Sequence, residues 1–468
     1  MEENIGRLNS AIQSVRPGTP LILYYWKHQE LVAGKVLGDQ ICDESQDRLS
    51  QGVLKIPPIW RPAYSMNRCR NCTGNKHPFG IIHSSPGMDW WHTGLPTAEY
   101  DFWLSLIPIF GGSLWHSVTG IPATITDKRI LRSVAAANEK AGMIAPYMGR
   151  EEHLCCPTVL CDDAYQMNGW MSVLHHTQKL YELMEGRRVT PETLHGKSAV
   201  LVPGAFYITK EAAAALYDYV SAGGHLILEG KIPEDCPELY EAAGIRCYQK
   251  TGGETVSAYL RFEEEGKSLQ GEELQDTPII PMGGKIILSE PEGAQILAAL
   301  VPSFAPPDAV GAPPERASLP APHTRIPLVT INKSGKGKCC NIQFGLSELI
   351  EKYGLDEHYE LAHQLLNKAC PPTVTVSRIH GLAMNAFRCP DGILIHLANG
   401  TGERPLKTVV PMTDIEVTVR LYPSEHALQV VRLFASQQIK YSINNKILTF
   451  VLDRLEVWES FLICLERE

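Results

Sequence analysis

The sequence lacks the marks of export. Its opening, MEENIGRLNSAIQSVRPGTP, has no basic segment followed by an apolar one, so a cytoplasmic protein is expected. No apolar run approaches the roughly 20 residues that span a bilayer, and no helical membrane segment is expected. A basic surplus is missing as well. Lys and Arg total 43 against 52 Asp and Glu, a net charge of −9, so neither a phosphate-coating face nor a nucleic-acid partner is expected. The 13 cysteines are odd in number and scattered among apolar neighbours, which favours buried, reduced thiols over a disulfide framework. Cys69-Arg70-Asn71-Cys72 with His77 has half the spacing of a zinc site, and no second C-x-x-C pair lies near. Gly335-Lys336-Gly337-Lys338 lacks the spacing and following Ser/Thr of a phosphate loop, and reads as a hairpin turn. No metal and no cofactor are therefore expected.

At 468 residues the chain is too long for one ordinary core, and two to four domains are expected. In the first region, Ile5 to Val15 reads as a helix stopped by Pro17-Gly18. The apolar run Pro20 to Trp26, then Phe79 to Ile82, then Ser113 to Trp115 read as buried parallel strands, with a helix over Pro96 to Phe110. Three such strands cannot close a barrel, so the rest is expected from another chain or from a missing N-terminal half.

A second region alternates strand and helix: strand Thr158 to Cys161, helix Trp170 to Glu185, strand Ser198 to Pro203, helix Thr209 to Ala222, strand His225 to Leu228. Thr209 suits an N-cap, and Gly223-Gly224 a helix stop. Val301 to Pro322, rich in Pro and Ala, reads as an irregular excursion, and a hairpin spans Leu328 to Phe344. From Pro371 onward, short alternating runs separated by turn residues fit an antiparallel sandwich.

Three stretches carry a resemblance. Ile81-Ile82-His83-Ser84-Ser85-Pro86-Gly87, with Trp91, Pro96 and Phe110-Gly111-Gly112, resembles the seventh strand, helix and eighth strand of the barrel in glycoside hydrolase family 42 β-galactosidases and their α-L-fucosidase-type relatives. Lys197 to Leu228, with VLVPG and YVSAGGHLILEG, resembles their β-galactosidase trimerisation domain, a glutamine-amidotransferase-like fold. Ile393 to Asn399 resembles the start of their closing β-domain. The resemblance implies an α/β protein in three parts. They are the last strands of a partial (β/α)8 TIM barrel (1–150), a flavodoxin/amidotransferase-like α/β domain (151–370) and a C-terminal β-sandwich (371–468). It further implies an exo-acting glycosidase for a galactoside or fucoside, truncated before its first barrel half, and a homotrimer. The alternative is a non-catalytic carbohydrate-binding or assembly protein.

In the family-42 pattern a nucleophilic Glu ends the seventh strand, where this chain has His83. An imidazole cannot form the glycosyl ester in the same way, which brings the fucosidase-type relatives nearer. An amidotransferase needs a thiol at its strand-to-helix elbow, and Val202-Pro203-Gly204-Ala205-Phe206 has none.

Barrel active sites gather at the C-terminal ends of the strands. Those ends supply Tyr25 and Trp26, then His83, Trp91 and His92, then Trp115 and His116, a set of rings suited to sugar faces and hydroxyls. Glycoside hydrolysis uses two carboxyl groups. Asp89, in the loop after the second strand, is the catalytic candidate. Glu99 and Asp101 read as ordinary acids of a first helical turn, Asp43-Glu44 as a loop, solvated or reaching the cleft, and Asp127 with Arg129 as an ion pair that either orders the barrel rim or stays solvated.

Overall fold

The structure, a computed structural model, describes residues 2–24, 40–45, 58–72, 77–118, 122–162, 167–204, 207–302 and 324–467. The chain gathers into two compact units. One holds residues 1–154, 178–180 and 373–468; the other holds 155–177 and 181–372.

The first unit begins with helix α1 (Glu2–Val15) and a parallel sheet in the order β1 (Ile22–Tyr24), β2 (Gln40–Glu44), β3 (Pro78–His83), β4 (Ser113–Ser117). Among the described residues this sheet is open and closes no barrel. Helices α2 (Arg61–Cys72), α3 (Thr97–Ile109) and α4 (Lys128–Ile144) follow, and β5 (Glu152–His153) leads out. Strand β2 corrects one expectation. Asp43 and Glu44 are not in a loop; they end a strand paired on both sides, with Ile41 and Cys42 buried.

Side chains alternate between the faces of this sheet. Gly80, Ile82, Leu114 and His116 lie in register on the helix face. A methyl on Gly80 would run into Ile107 of α3, and Ile82 and Leu114 pack in the same cluster as Ile107. Helix α3 is buried nearly all round. Its cluster takes in Ile82 of the sheet as well as Ala383, Ala398 and Trp458 from the far end of the chain, which explains why its sequence shows no polar face.

The second unit carries β6 (Pro157–Cys161), α5 (Asn168–His176), β7 (Glu182–Glu185), α6 (Pro191–Leu194), β8 (Ala199–Val202), α7 (Lys210–Ala222), β9 (His225–Glu229) and α8 (Pro237–Ala243). Then come β10 (Ile245–Phe262), β11 (Ile279–Pro291), β12 (Gln295–Val301), β13 (Pro327–Ser334), β14 (Gly337–Ile342), α9 (Leu346–Tyr353) and α10 (Asp356–Ala369). One nine-stranded sheet runs β11-β10-β12-β13-β14-β9-β8-β6-β7. Its β14-β9-β8-β6-β7 part is parallel and the remainder antiparallel. Thr209 caps α7 through Ala212 N (3.2 Å), and Gly223 ends it at φ +125°. The expected helix to Glu185 stops at His176, and residues 182–185 form an edge strand instead. The turn between them places Gln178 at φ +47°, so neither Gly nor Pro announces it. The Pro- and Ala-rich excursion falls almost wholly in 303–323, outside the described residues.

At the end of β9, Glu229 is buried and accepts hydrogen bonds from Trp170 Nε1 (2.6 Å), Gly204 N (2.9 Å), and Ser347 N and Oγ (both 2.8 Å). Buried charge is tolerated when donors surround it in this way.

The C-terminal strands return to the first unit: β15 (Val374–Val376), β16 (Leu382–Cys389), β17 (Gly392–Asn399), β18 (Met412–Arg420), β19 (Glu425–Arg432), β20 (Gln437–Ile439), β21 (Tyr441–Asn444), β22 (Ile447–Leu455) and β23 (Trp458–Arg467). They form antiparallel sheets in the orders β15-β18-β22-β21 and β20-β19-β23-β17-β16-β5. Phe450 of one sheet meets Phe461 of the other at 5.2 Å between ring centroids.

Candidate functional site

The site is built where the parallel strands of the first unit end. On the face away from α3, the register aligns Glu44 with Ile81, Ile81 with Trp115, and His83 with Ser117. Glu44 Oε1 and His83 Nε2 come within 3.5 Å, with 29% and 13% of their side chains exposed. This is ion-pair range, while His83 Nε2 has no aligned hydrogen bond. The Trp91 ring stands edge-on to the His83 ring, 6.2 Å away at 83°. A carboxylate beside an imidazole can fix the orientation of its ring, and an indole offers a face for sugar CH groups.

Beside this group Ser84, Trp91, His92, Val118, Thr126 and Asp127 line a pocket of about 180 Å³. That is below the roughly 300–1,000 Å³ usual for small-molecule sites, so the pocket takes part of a ligand. Its rim is fixed by Asp127, which accepts from Gly94 N (2.9 Å) and from Arg129 Nε (2.9 Å) and Nη2 (2.6 Å). The hydrogen bonds from Arg129 hold the Asp127 carboxyl well below the usual carboxylate range, so Asp127 stays ionised and cannot serve as an acid. The ion pair forms, with Asp127 sheltered and Arg129 half exposed.

The structure sorts the other sequence candidates. Trp115 shares the face of His83, stands edge-on to Phe79 (6.3 Å, 88°) and is 42% exposed. His116 projects from the opposite face, where its Nε2 meets Asn138 Oδ1 of α4 at 3.0 Å, and burial lowers its pKa. Alternation along β4 therefore separates two neighbours that the sequence grouped together. Asp89 is exposed on the turn Met88–Trp90 and does not line the pocket. Tyr25 and Trp26 lie outside the described residues.

Other acids have different work. Asp43 points to the helix side, accepts from the Ser65 hydroxyl, and has its pKa raised by burial against the pull of Arg61 and Arg68. Glu99 is no ordinary first-turn acid. It is fully buried, accepts from Trp103 Nε1 (2.8 Å), Arg404 Nε (2.7 Å) and Leu406 N (2.7 Å), and ties α3 to the C-terminal strands. Cys69 packs against Ile41, and His77 Nε2 meets Ser113 Oγ at 2.8 Å. Among the described residues no group of three or more His, Cys, Asp or Glu is placed to hold a metal.

Sequence reasoning puts Glu44 on a loop within reach of the cleft and misses that it ends a strand. The available signal was the run Gln40-Ile41-Cys42-Asp43-Glu44, short and apolar at its centre, ending in acids as a strand tip facing a cleft can.

No protein-family model matches the sequence, and no curated protein matches it. Solved structures do. The chain is similar to α-L-fucosidase isoenzyme 2 from Paenibacillus thiaminolyticus, with a TM-score of 0.76 at 14% identity, covering 100% of this chain and 71% of that one. It is similar to Gan42B, a GH42 β-galactosidase from G. stearothermophilus, with a TM-score of 0.65 at 12% identity, covering 100% and 67%. It is also similar to a β-galactosidase from Bacillus circulans sp. alkalophilus, with a TM-score of 0.67 at 11% identity, covering 100% and 66%. From end to end, this chain has the fold found in those stretches of an α-L-fucosidase and of GH42 β-galactosidases.

Proposed function

We propose that the chain belongs to a glycoside hydrolase that removes a terminal galactoside or fucoside, with its sugar cleft at the ends of β2, β3 and β4. The observation that carries this is Glu44, His83 and Trp91 drawn together at adjoining strand ends. Trp91 and Trp115 pack against the sugar, and His83 and His92 bind its hydroxyls. Glu44 acts as the carboxylate nearest the reaction, with His83 as its proton partner. The second carboxyl group that hydrolysis requires comes from barrel strands beyond these four. In this reading the β1–β4 layer is the end of a (β/α)8 barrel (1–150). Residues 151–370 are an amidotransferase-like trimerisation domain, and 371–468 close the protein as a β-sandwich.

A second reading, a sugar-binding protein without turnover, is favoured by His83 standing where family 42 has its nucleophile. Aryl β-galactosides and α-L-fucosides, with calorimetry on galactose and fucose, decide between them when tested on a protein that carries those further barrel strands. Turnover that falls at least about 100-fold in Glu44→Gln, as loss of an acid/base group does, supports the enzyme. Saturable sugar binding without turnover, weakened in Trp91→Ala, supports the binding protein. Neither turnover nor binding would remove both readings.

A further inference from the structure

The second unit holds a pair of thiols that the sugar site does not use. Cys155 stands just before β6 and Cys370 just after α10, where the chain first enters and finally leaves that unit. They are 215 residues apart in sequence, yet Cys155 Sγ lies 3.8 Å from Cys370 Sγ and 2.9 Å from Ser198 Oγ. Both are reduced; Cys155 is exposed and Cys370 buried. We propose that Cys155 and Cys370 are a reversible redox site, with Cys155 the attacking and Cys370 the resolving thiol toward low-molecular-weight disulfides of the glutathione class.

The geometry provides each part of that chemistry. An exposed thiolate attacks a disulfide sulfur, and a second thiol must stand near to complete the exchange. Cys155 attacks one sulfur of the small disulfide, forming a mixed disulfide and expelling one small thiolate, which takes up the proton that Cys155 gave up. The Cys370 thiol then loses its proton and attacks Cys155 Sγ, and the second small thiol leaves carrying that proton. Two protein thiols are oxidised and one small disulfide is reduced to two thiols, so atoms and electrons balance.

The hydrogen bonds from Cys370 and Ser198 bring the Cys155 pKa down to about 6, so the thiolate predominates at neutral pH. Other thiols move the opposite way. Burial pushes Cys42 up to about 11 and Cys340 to about 12, and raises Cys156, Cys236 and Cys339. The chain's many cysteines therefore do not compete equally. Closing the bond would fasten the beginning of this unit to its end across nearly its whole length, which restricts the unfolded chain.

The whole reduced protein is treated with oxidised glutathione, digested without reductant and read by mass spectrometry. The expected product is a peptide pair joined through Cys155 and Cys370, reversed by dithiothreitol, with Cys370→Ser instead retaining glutathione on Cys155. The melting temperature of the oxidised protein should rise by roughly 5–10 °C, and Cys155→Ser should abolish that rise. Iodoacetamide should label Cys155 at least about tenfold faster than the half-buried Cys464. Glutathione left on Cys155 of the unmutated protein without the Cys155–Cys370 bond would overturn the proposal. So would equal labelling of Cys155 and Cys464.

Discussion

Two buried side chains show how a single residue can govern stability without touching a ligand. Glu99 has no water to replace Arg404, Trp103 and Leu406 as partners. Glu99→Gln leaves the Arg404 cation facing an amide and should cost about 3 kcal/mol in urea unfolding, as breaking a buried pair does. His396 is wholly buried on β17, with Nδ1 2.8 Å from Ser460 Oγ, and burial brings its pKa from 6.5 down to about 3. The unfolded chain takes up a proton near pH 6.5 that the folded chain refuses until about pH 3. His396 therefore contributes stability above pH 6.5 that is lost as pH falls toward 3, at about 1.4 kcal/mol per pH unit. Subtracting the acid-denaturation profile of His396→Gln from that of the unmutated protein should isolate this slope.

At the scale of elements, close approach is decided by glycine. A methyl at Gly169 on α5 would run into the backbone of Ser347 on α9, which cannot move aside as a flexible side chain would. Gly169→Ala should force the two helices apart, shift the Ser347 groups that hold Glu229, and cost at least about 2 kcal/mol in thermal or urea unfolding. The helices and strands most readable in sequence were those with sharp punctuation. Thr209 and Gly223 bracket α7 as expected, and Gly335-Lys336 turns between β13 and β14. What escaped had weaker signals: β2 is only five residues long, and β7 follows a turn made without Gly or Pro. The candidate site was partly legible for the same reason. His83 and Trp91 follow a plainly apolar strand, whereas Glu44 ends a strand too brief to announce itself. His116 lies near the same strand end but on the helix face, because position near a strand end does not say which face a side chain takes.

At the scale of the whole molecule, the proposed trimerisation role of residues 151–370 leads to a direct expectation. Light scattering at micromolar concentration should give three times the 51.8 kDa chain mass; a monomer alone would remove that role. The division of the chain into two units was only half visible in sequence. Composition marks the change near residue 370, but nothing local reveals that the last hundred residues pack with the first hundred and fifty.

That return of the chain has a practical consequence for anyone dissecting the protein. A fragment ending near residue 150 would put Phe102, Trp103 and neighbouring greasy rings, now covered by Ala383, Ala398 and Trp458, into contact with water. Such a piece should fall out of solution, and co-expressing residues 373–468 as a separate peptide should bring it back.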